Sequence, residues 1–350
     1  MKSIVLTGLL LMVATASADY AYGPDFLTVY PGARQSAMAG AGAALAGAAD
    51  GVFYNPAGPA FLKSAEAGVE VNSIPWAVPT TYWSASGIVP LYPRLNVGLF
   101  TSGVHWTLED QSRECEWQAG VTASAMVSDW LGFGLDLEYD GSRSVDKEWD
   151  FEAETTYMFV MTSSAIAADA GVLARPHTCC GSPSIGVTVR NAGTRLKYSN
   201  QAGTEALPAL VDAGVGWTVT ARELGFKSLP FSVPERYFPH DWLMDNWGAS
   251  VFYDLRKIFL DTYPTHSVGV ELRPLPFLAV RGGWFYSNSV DTSDKREGLT
   301  WGLGLDLRYF RADFCQDNVL FYLGMQKHYR FSFALNLNEL LLREGGLLGH

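Results

Sequence analysis

Large apolar side chains recur at every second position over much of this chain. Leu131-Gly132-Phe133-Gly134-Leu135-Asp136-Leu137 places them at odd numbers, with Gly or Asp at even ones. Leu299, Trp301, Leu303, Leu305, Leu307 and Tyr309 repeat the scheme against Thr300, Gly302, Gly304, Asp306 and Arg308. The same alternation runs through Leu95/Val97/Leu99, Ile185/Val187/Val189, Val215/Trp217/Val219, Val268/Val270/Leu272 and Phe331/Phe333/Leu335/Leu337. A period of two puts successive side chains on opposite faces of a strand, here one apolar and one polar or small. About fourteen strands are predicted, near residues 68–74, 81–89, 94–102, 117–127, 130–140, 164–174, 183–191, 209–220, 247–255, 266–273, 277–286, 299–311, 318–326 and 329–337. Many run the roughly 9–11 residues that a tilted strand needs to cross a bilayer.

The connections and the aromatics fit a membrane barrel. Tyr92-Pro93, Ser128-Asp129 and Pro274-Leu275-Pro276 are short links, whereas the connections after the third, fifth, seventh and eleventh predicted strands are longer and polar. Short turns on one side and long loops on the other are the layout of an outer-membrane barrel. The connection at 221–246 breaks the rule, being long on the short side. Trp83, Trp117, Trp130, Trp247 and Trp301 fall at or near strand starts and Trp284 near a strand end, where amphipathic rings suit the two membrane interfaces. A soluble β-sandwich also alternates. Its solvent face, however, gains nothing from glycine pairs such as Gly132/Gly134, Gly214/Gly216 and Gly302/Gly304, which weaken a strand. In a barrel they widen the lumen.

One stretch does not alternate. Residues 31–62, PGARQSAMAGAGAALAGAADGVFYNPAGPAFL, carry no charge between Arg34 and Asp50 and are built from Ala and Gly. A spanning helix needs about 20 strongly apolar residues, and this run is shorter with far smaller side chains. Small side chains allow close approach to other protein, so the stretch is expected inside the glycine-lined lumen. Arg34 and Asp50 are expected to flank it, pairing with lumen charges such as Asp306 or Arg281. Asn55-Pro56 is expected to turn the chain out, because Pro disfavours helix in the residue before it.

Composition narrows the class. The 350 residues are 17% charged and 13% aromatic, with 35 Gly and 11 Trp, and mean hydropathy is near zero. That excludes a polytopic helical membrane protein and matches alternating strands. The net charge of −11 disfavours nucleic acid, whose binding rests on neutralising phosphates. Lys2, the apolar run Ile4 to Val13 and Ala16-Ser17-Ala18 read as a secretory signal with its cleavage site. The expected organisation is a signal peptide at 1–18, a plug segment at 19–66, a barrel at 67–338 and a tail at 339–350.

Catalytic motifs are missing. There is no GxSxG, Walker A or HExxH, and the GxG pairs lie inside strands. The chain is therefore expected not to be an enzyme and to need no cofactor. His177-Thr178-Cys179-Cys180 is the best local metal candidate, but zinc sites draw spaced ligands from two elements, so an ordinary turn is expected. Cys115, Cys179, Cys180 and Cys315 would suit two disulfides in an exported chain, in a pairing that spacing does not fix. The acidic run 146–154 reads as a solvated loop. On the predicted lumen face lie Asp136, Glu138, Asp169, Glu271, Arg281, Asp306 and Arg308, as a bracing network or as anchors for a plug or solute.

Arg34-x-x-x-Met38-x-Gly40, followed by Asp50-Gly51-x-x-Tyr54-Asn55-Pro56-Ala57-Gly58, resembles the N-terminal signature of the FadL-like outer-membrane barrels. Within that group the chain looks most like the PorV/PorQ family. Phe26-Leu27-Thr28 before Gly32-Ala33-Arg34, Val189-Arg190-Asn191-Ala192-Gly193, Gly269-Val270-Glu271 with Val280-Arg281-Gly282-Gly283, and His328-Tyr329-Arg330-Phe331-Ser332 fit that pattern. The resemblance implies a fourteen-stranded barrel in the outer membrane, with the N-terminal segment folded into the lumen. Arg34, Met38, Gly40, Gly42, Asp50, Asn55 and Pro56 would carry the plug. A PorV-like role implies docking exported proteins as part of type IX secretion, with secretion components as partners. A FadL-like role implies passage of long-chain fatty acids or other hydrophobic molecules. The chain departs from the pattern by running past its last strand to His350.

Overall fold

The computed structural model describes residues 25–29, 31–75, 79–107, 113–150, 155–199, 204–228, 230, 238–261, 263–287, 296–317 and 328–337. The signal peptide and the tail lie outside them. Among the described residues no helix is long and apolar enough to cross a membrane; the strands do that work.

The strands are β1 (Glu66–Pro75), β2 (Pro79–Tyr92), β3 (Leu95–Thr107), β4 (Arg113–Ser128), β5 (Leu131–Asp150), β6 (Thr155–Ala174), β7 (Ser182–Gly193), β8 (Leu196–Tyr198), β9 (Thr204–Glu205), β10 (Leu210–Thr220), β11 (Gly248–Ile258), β12 (Thr265–Leu275), β13 (Leu278–Ser287), β14 (Arg296–Asp306), β15 (Phe310–Asp317) and β16 (His328–Asn336). The short strand β8 pairs with β6 at Ser163 and Ser164, and β9 pairs with β8. The other fourteen form a closed antiparallel ring. β1 pairs with β16 from Glu66↔Asn336 to Glu70↔Ser332, which closes the sheet and leaves no edge.

The alternation sets which side faces out. Leu135, Leu137, Leu299, Trp301, Phe331 and Phe333 are all exposed on the outer wall, while their even-numbered neighbours Asp136, Glu138, Thr300 and Ser332 are buried in the lumen. The tight turns at 93–94, 129–130, 276–277 and 307–309 share one end of the barrel with the chain's entry into β1. By the layout of such barrels this is the periplasmic end. Trp130, Trp217 and Trp247 belong to that rim, and Trp83, Trp117, Trp284 and Trp301 to the opposite one.

Three expectations change. The segment 299–311 is not one strand: it holds the end of β14, a turn at 307–309 and the start of β15. The thirteenth barrel strand is therefore Phe310–Asp317, and the expected strand at 318–326 lies outside the described residues. Arg308, expected on a strand, sits in that turn with φ 71°. The acidic run at 146–154 is not all loop, because β5 extends to Asp150. The long connection at 221–246 is on the periplasmic side as expected, and it carries the helix α2 (His240–Asn246), tied by Arg222 to Asp241 and Asp245.

Candidate functional site

The lumen is filled by residues 31–62. After a 3-10 turn at Asp25–Thr28 comes a single helical turn, α1 (Ala33–Ser36), then 3-10 turns at Ala49–Phe53 and Gly58–Phe61. Almost every residue from Pro31 to Ala60 is buried. Ala39 and Gly40 have φ of 58° and 78°, a reversal that glycine accepts without strain. Gly42 lies against the Tyr54 ring, where a Cβ would come within 2.4 Å. Tyr54 donates to the Pro31 carbonyl at 2.6 Å, and burial holds its phenol well above the usual range.

Glycines on the wall make the close fit possible. A Cβ on Gly134 would lie 2.0 Å from the Pro56 carbonyl carbon, and one on Gly186 would lie 1.9 Å from the Ala43 oxygen. Gly171 meets Asn55, Gly269 and Gly283 meet Met38, and Gly302 meets Ala37. Of the six glycines singled out from the sequence, Gly132, Gly134 and Gly302 face the plug. Gly214 faces both Asp254 and the Ala43 methyl, while Gly216 and Gly304 instead make room for Phe252 and Arg281.

Polar side chains on the wall take up the plug's backbone groups. Asp254 on β11 accepts the Gly42 and Ala43 N–H groups at 2.7 and 2.8 Å. Thr300 on β14 accepts from the Ala39 N–H and donates to the Ala37 carbonyl. Glu70 on β1 accepts the Gly32 N–H at 2.5 Å, and Asn96 on β3 donates to the Pro59 and Leu62 carbonyls. Asn55 bridges plug and wall, donating to the Ala43 and Val172 carbonyls while accepting from the Ala57 N–H. These bonds satisfy a segment that lacks regular structure, as buried backbone requires.

The charges flanking the plug meet one continuous network. Arg34 forks onto Glu271 at 3.0 and 3.1 Å; Glu271 also binds Arg281 at 2.6 Å, and Arg281 binds Asp313 at 2.7 Å. Arg311 joins Asp313 to Asp50 and Glu66. Contrary to the expectation from sequence, Arg34 and Asp50 do not pair directly with Asp306 or Arg281 but with Glu271 and Arg311. Asp306 pairs instead with Arg273 at 3.6 Å, and Arg281 is the link between the two ends. Arg330 on β16 forms a second centre, bonded to Glu70, Asp317 and Ser36. The turn out of the lumen also comes later than Asn55-Pro56: the chain stays buried through Ala60 and becomes exposed at Lys63.

Between plug and periplasm lies a cavity of about 370 Å³, bordered by Leu45, Gly47, Phe61, Arg273 and Arg308. Met38 and Leu45 belong to an apolar cluster with Leu173 and Phe252. Asp136 and Asp169 face each other across β5 and β6, and Asp169 pairs with Arg190. Asp254, Glu70, Thr300, Arg311 and Arg330 were missed from the sequence. Strand parity marks Asp254, Glu70 and Arg330 as inward, since Tyr253/Leu255, Val69/Val71 and Tyr329/Phe331 point out. Among the described residues no group of His, Cys, Asp and Glu is arranged to hold a metal ion. His177–Cys180 is an exposed turn, and the four cysteines are free thiols rather than two disulfides.

No family model matches the sequence, and no curated protein matches it. Solved structures do match its fold. A FadL homologue from Pseudomonas aeruginosa aligns over 87% of this chain and 98% of its own, with a TM-score of 0.51 and 10% identity. The Pseudomonas putida toluene transporter TodX aligns over the same shares, with a TM-score of 0.50 and 12% identity. The monoaromatic hydrocarbon channel CymD covers 87% of this chain and 97% of its own, with a TM-score of 0.53 and 13% identity. The chain has the fold of a FadL-like outer-membrane barrel.

Proposed function

We propose that this protein is an outer-membrane channel for small hydrophobic molecules, such as aromatic hydrocarbons or long-chain fatty acids. The observation that carries the reading is a lumen closed by a plug of small side chains, in a barrel folded like hydrocarbon transporters. The fold neighbours favour this reading over the docking of exported proteins in type IX secretion that the N-terminal signature implied.

The anchors suggest where such a channel opens. Residues 32–43 are held by Glu70, Ser332, Glu271, Thr300 and Asp254. Withdrawing them would break several buried hydrogen bonds, each worth about 1 kcal/mol and more where charged. Among the described residues no wall side chain hydrogen-bonds to residues 44–48, although Ala44, Leu45 and Ala48 are buried. Ala46 and Gly47 are half-buried, no atom lies near a Cβ placed on Gly47, and the stretch borders the periplasmic cavity. Opening is assigned to this loop, with the anchored part fixed in place. The test is uptake of toluene or a long-chain fatty acid into liposomes carrying the purified protein. Uptake faster than into empty liposomes is expected, and equal uptake would overturn the reading.

A further inference from the structure

The long periplasmic connection between β10 and β11 begins with a locked turn. The Leu224 N–H donates to the Thr220 carbonyl, that of Gly225 to Arg222 and that of Phe226 to Ala221, each at 3.0 Å. Gly225 takes a φ of 76° to end the turn. The charged side chains of this turn are engaged with protein. Glu223 accepts from the Thr220 N–H and from the Ser182 hydroxyl, and Arg222 is bonded to Asp241 and Asp245 of α2. The apolar side chains are not. Leu224 is 60% and Phe226 48% exposed, and neither borders the cavity beneath the plug.

Parity shows which way these two residues face. On β11 Val251, Tyr253 and Leu255 point outward. Trp247, whose backbone is already extended, is in step with them and so lies on the lipid side. The Phe226 ring packs on Trp247 with centroids 5.3 Å apart, and the Trp247 indole N–H reaches the Pro274 carbonyl at the foot of β12. On β10 the outward Val215 and Trp217 lead down to the same turn. Leu224, Phe226 and Trp247 therefore continue the lipid-facing wall past the ends of its strands. Lys227, also exposed, follows at once. Apolar side chains, an indole and a flanking cation are what settles at the boundary between acyl chains and headgroups. The inner side of the insertion differs: Trp242, Asp245 and Asn246 of α2 border the cavity.

We propose that the turn at 221–227, with Trp247, is an interfacial anchor seated in the phospholipid leaflet at the periplasmic rim. Through the two Arg222 pairs the anchor holds α2 beneath the lumen. The proposal does not rest on the channel reading, because depth in the bilayer is measured without any transport. The experiment places a bimane label at Leu224→Cys or Phe226→Cys in the full chain with Ser at positions 115, 179, 180 and 315. Each variant is reconstituted into phosphatidylethanolamine–phosphatidylglycerol vesicles whose lipids carry a nitroxide either near the headgroup or near the acyl terminus. Retained heat-modifiable gel mobility shows that each variant is folded. His240→Cys, at the exposed start of α2, is the water-facing control. Labels at 224 and 226 should be quenched at least about twofold more than the control by the shallow nitroxide, and less by the deep one. Aqueous iodide should quench the control most. Lipid quenching at 224 and 226 no greater than at 240 would overturn the proposal. So would a second copy of the chain cross-linked at these positions, which would mean that protein covers them.

Discussion

Along β12–β16 and β1 the inward charges are joined to opposite charges. Glu271, Arg281, Asp313 and Arg311 form one chain and Glu70, Arg330 and Asp317 another. Along β5 the inward charges Asp136, Glu138 and Asp140 make no ion pair among the described residues. Both faces line the same lumen and are equally buried. The difference lies in what they hold: the paired face grips the plug through Arg34, Asp50, Gly32 and Ser36, whereas on β5 the plug is met by Gly132 and Gly134. A buried ion pair costs desolvation and adds little net stability, but removing one partner is costly. The paired face is thus a specificity device that fixes where the plug sits.

The contrast can be broken most severely from the wall. Gly186→Val or Gly134→Val puts carbon where plug backbone already lies. Either should expel the plug and raise protease cleavage within residues 31–62 by well over about tenfold. Gly87→Val, placed where no atom lies within 4 Å, should leave cleavage unchanged. Next in size, Arg330→Ala takes the buried guanidinium away from Glu70 and Asp317 and should cost about 3–5 kcal/mol, read as a lower midpoint in denaturant titration. Asp254→Ala removes the acceptor of two plug N–H groups and should cost about 2–3 kcal/mol by the same measurement. Arg34→Ala should cost less, about 1–2 kcal/mol, because Glu271 keeps Arg281 and Arg273. On the other face, the Asp136→Asn, Glu138→Gln, Asp140→Asn variant should be as stable as the parent, since it removes no ion pair of those three residues. A loss as large as that of Arg330→Ala would erase the contrast.

The alternation revealed the barrel because a lipid-facing wall and a polar lumen impose a period of two on every strand. It failed at 299–311 for a physical reason: Leu307 and Tyr309 continue the pattern through a three-residue turn that holds neither Gly nor Pro, and Arg308 supplies the positive φ instead. The plug was legible as an Ala/Gly run without strand period. Its partners were not, because Arg34 and Glu271 are separated by 237 residues and meet only once fourteen strands are in register. Parity marks Glu271 and Arg281 as inward, but the order Arg34–Glu271–Arg281–Asp313–Arg311–Asp50 depends on the ring's closure.

The central claim is that the anchored part of the plug stays in place while the loop at 44–48 opens. Ala37 packs with the lumen-facing thiol of Cys315 on β15, so Ala37→Cys, in a chain with Ser at positions 115, 179 and 180, offers a tether between the anchored segment and the wall. Hydrocarbon uptake into liposomes, compared before and after oxidation and again after reduction, tests the claim directly. Uptake unchanged by the tether is predicted. Uptake lost on oxidation and restored by reductant would contradict the account, since the anchored segment itself would then have to leave the lumen.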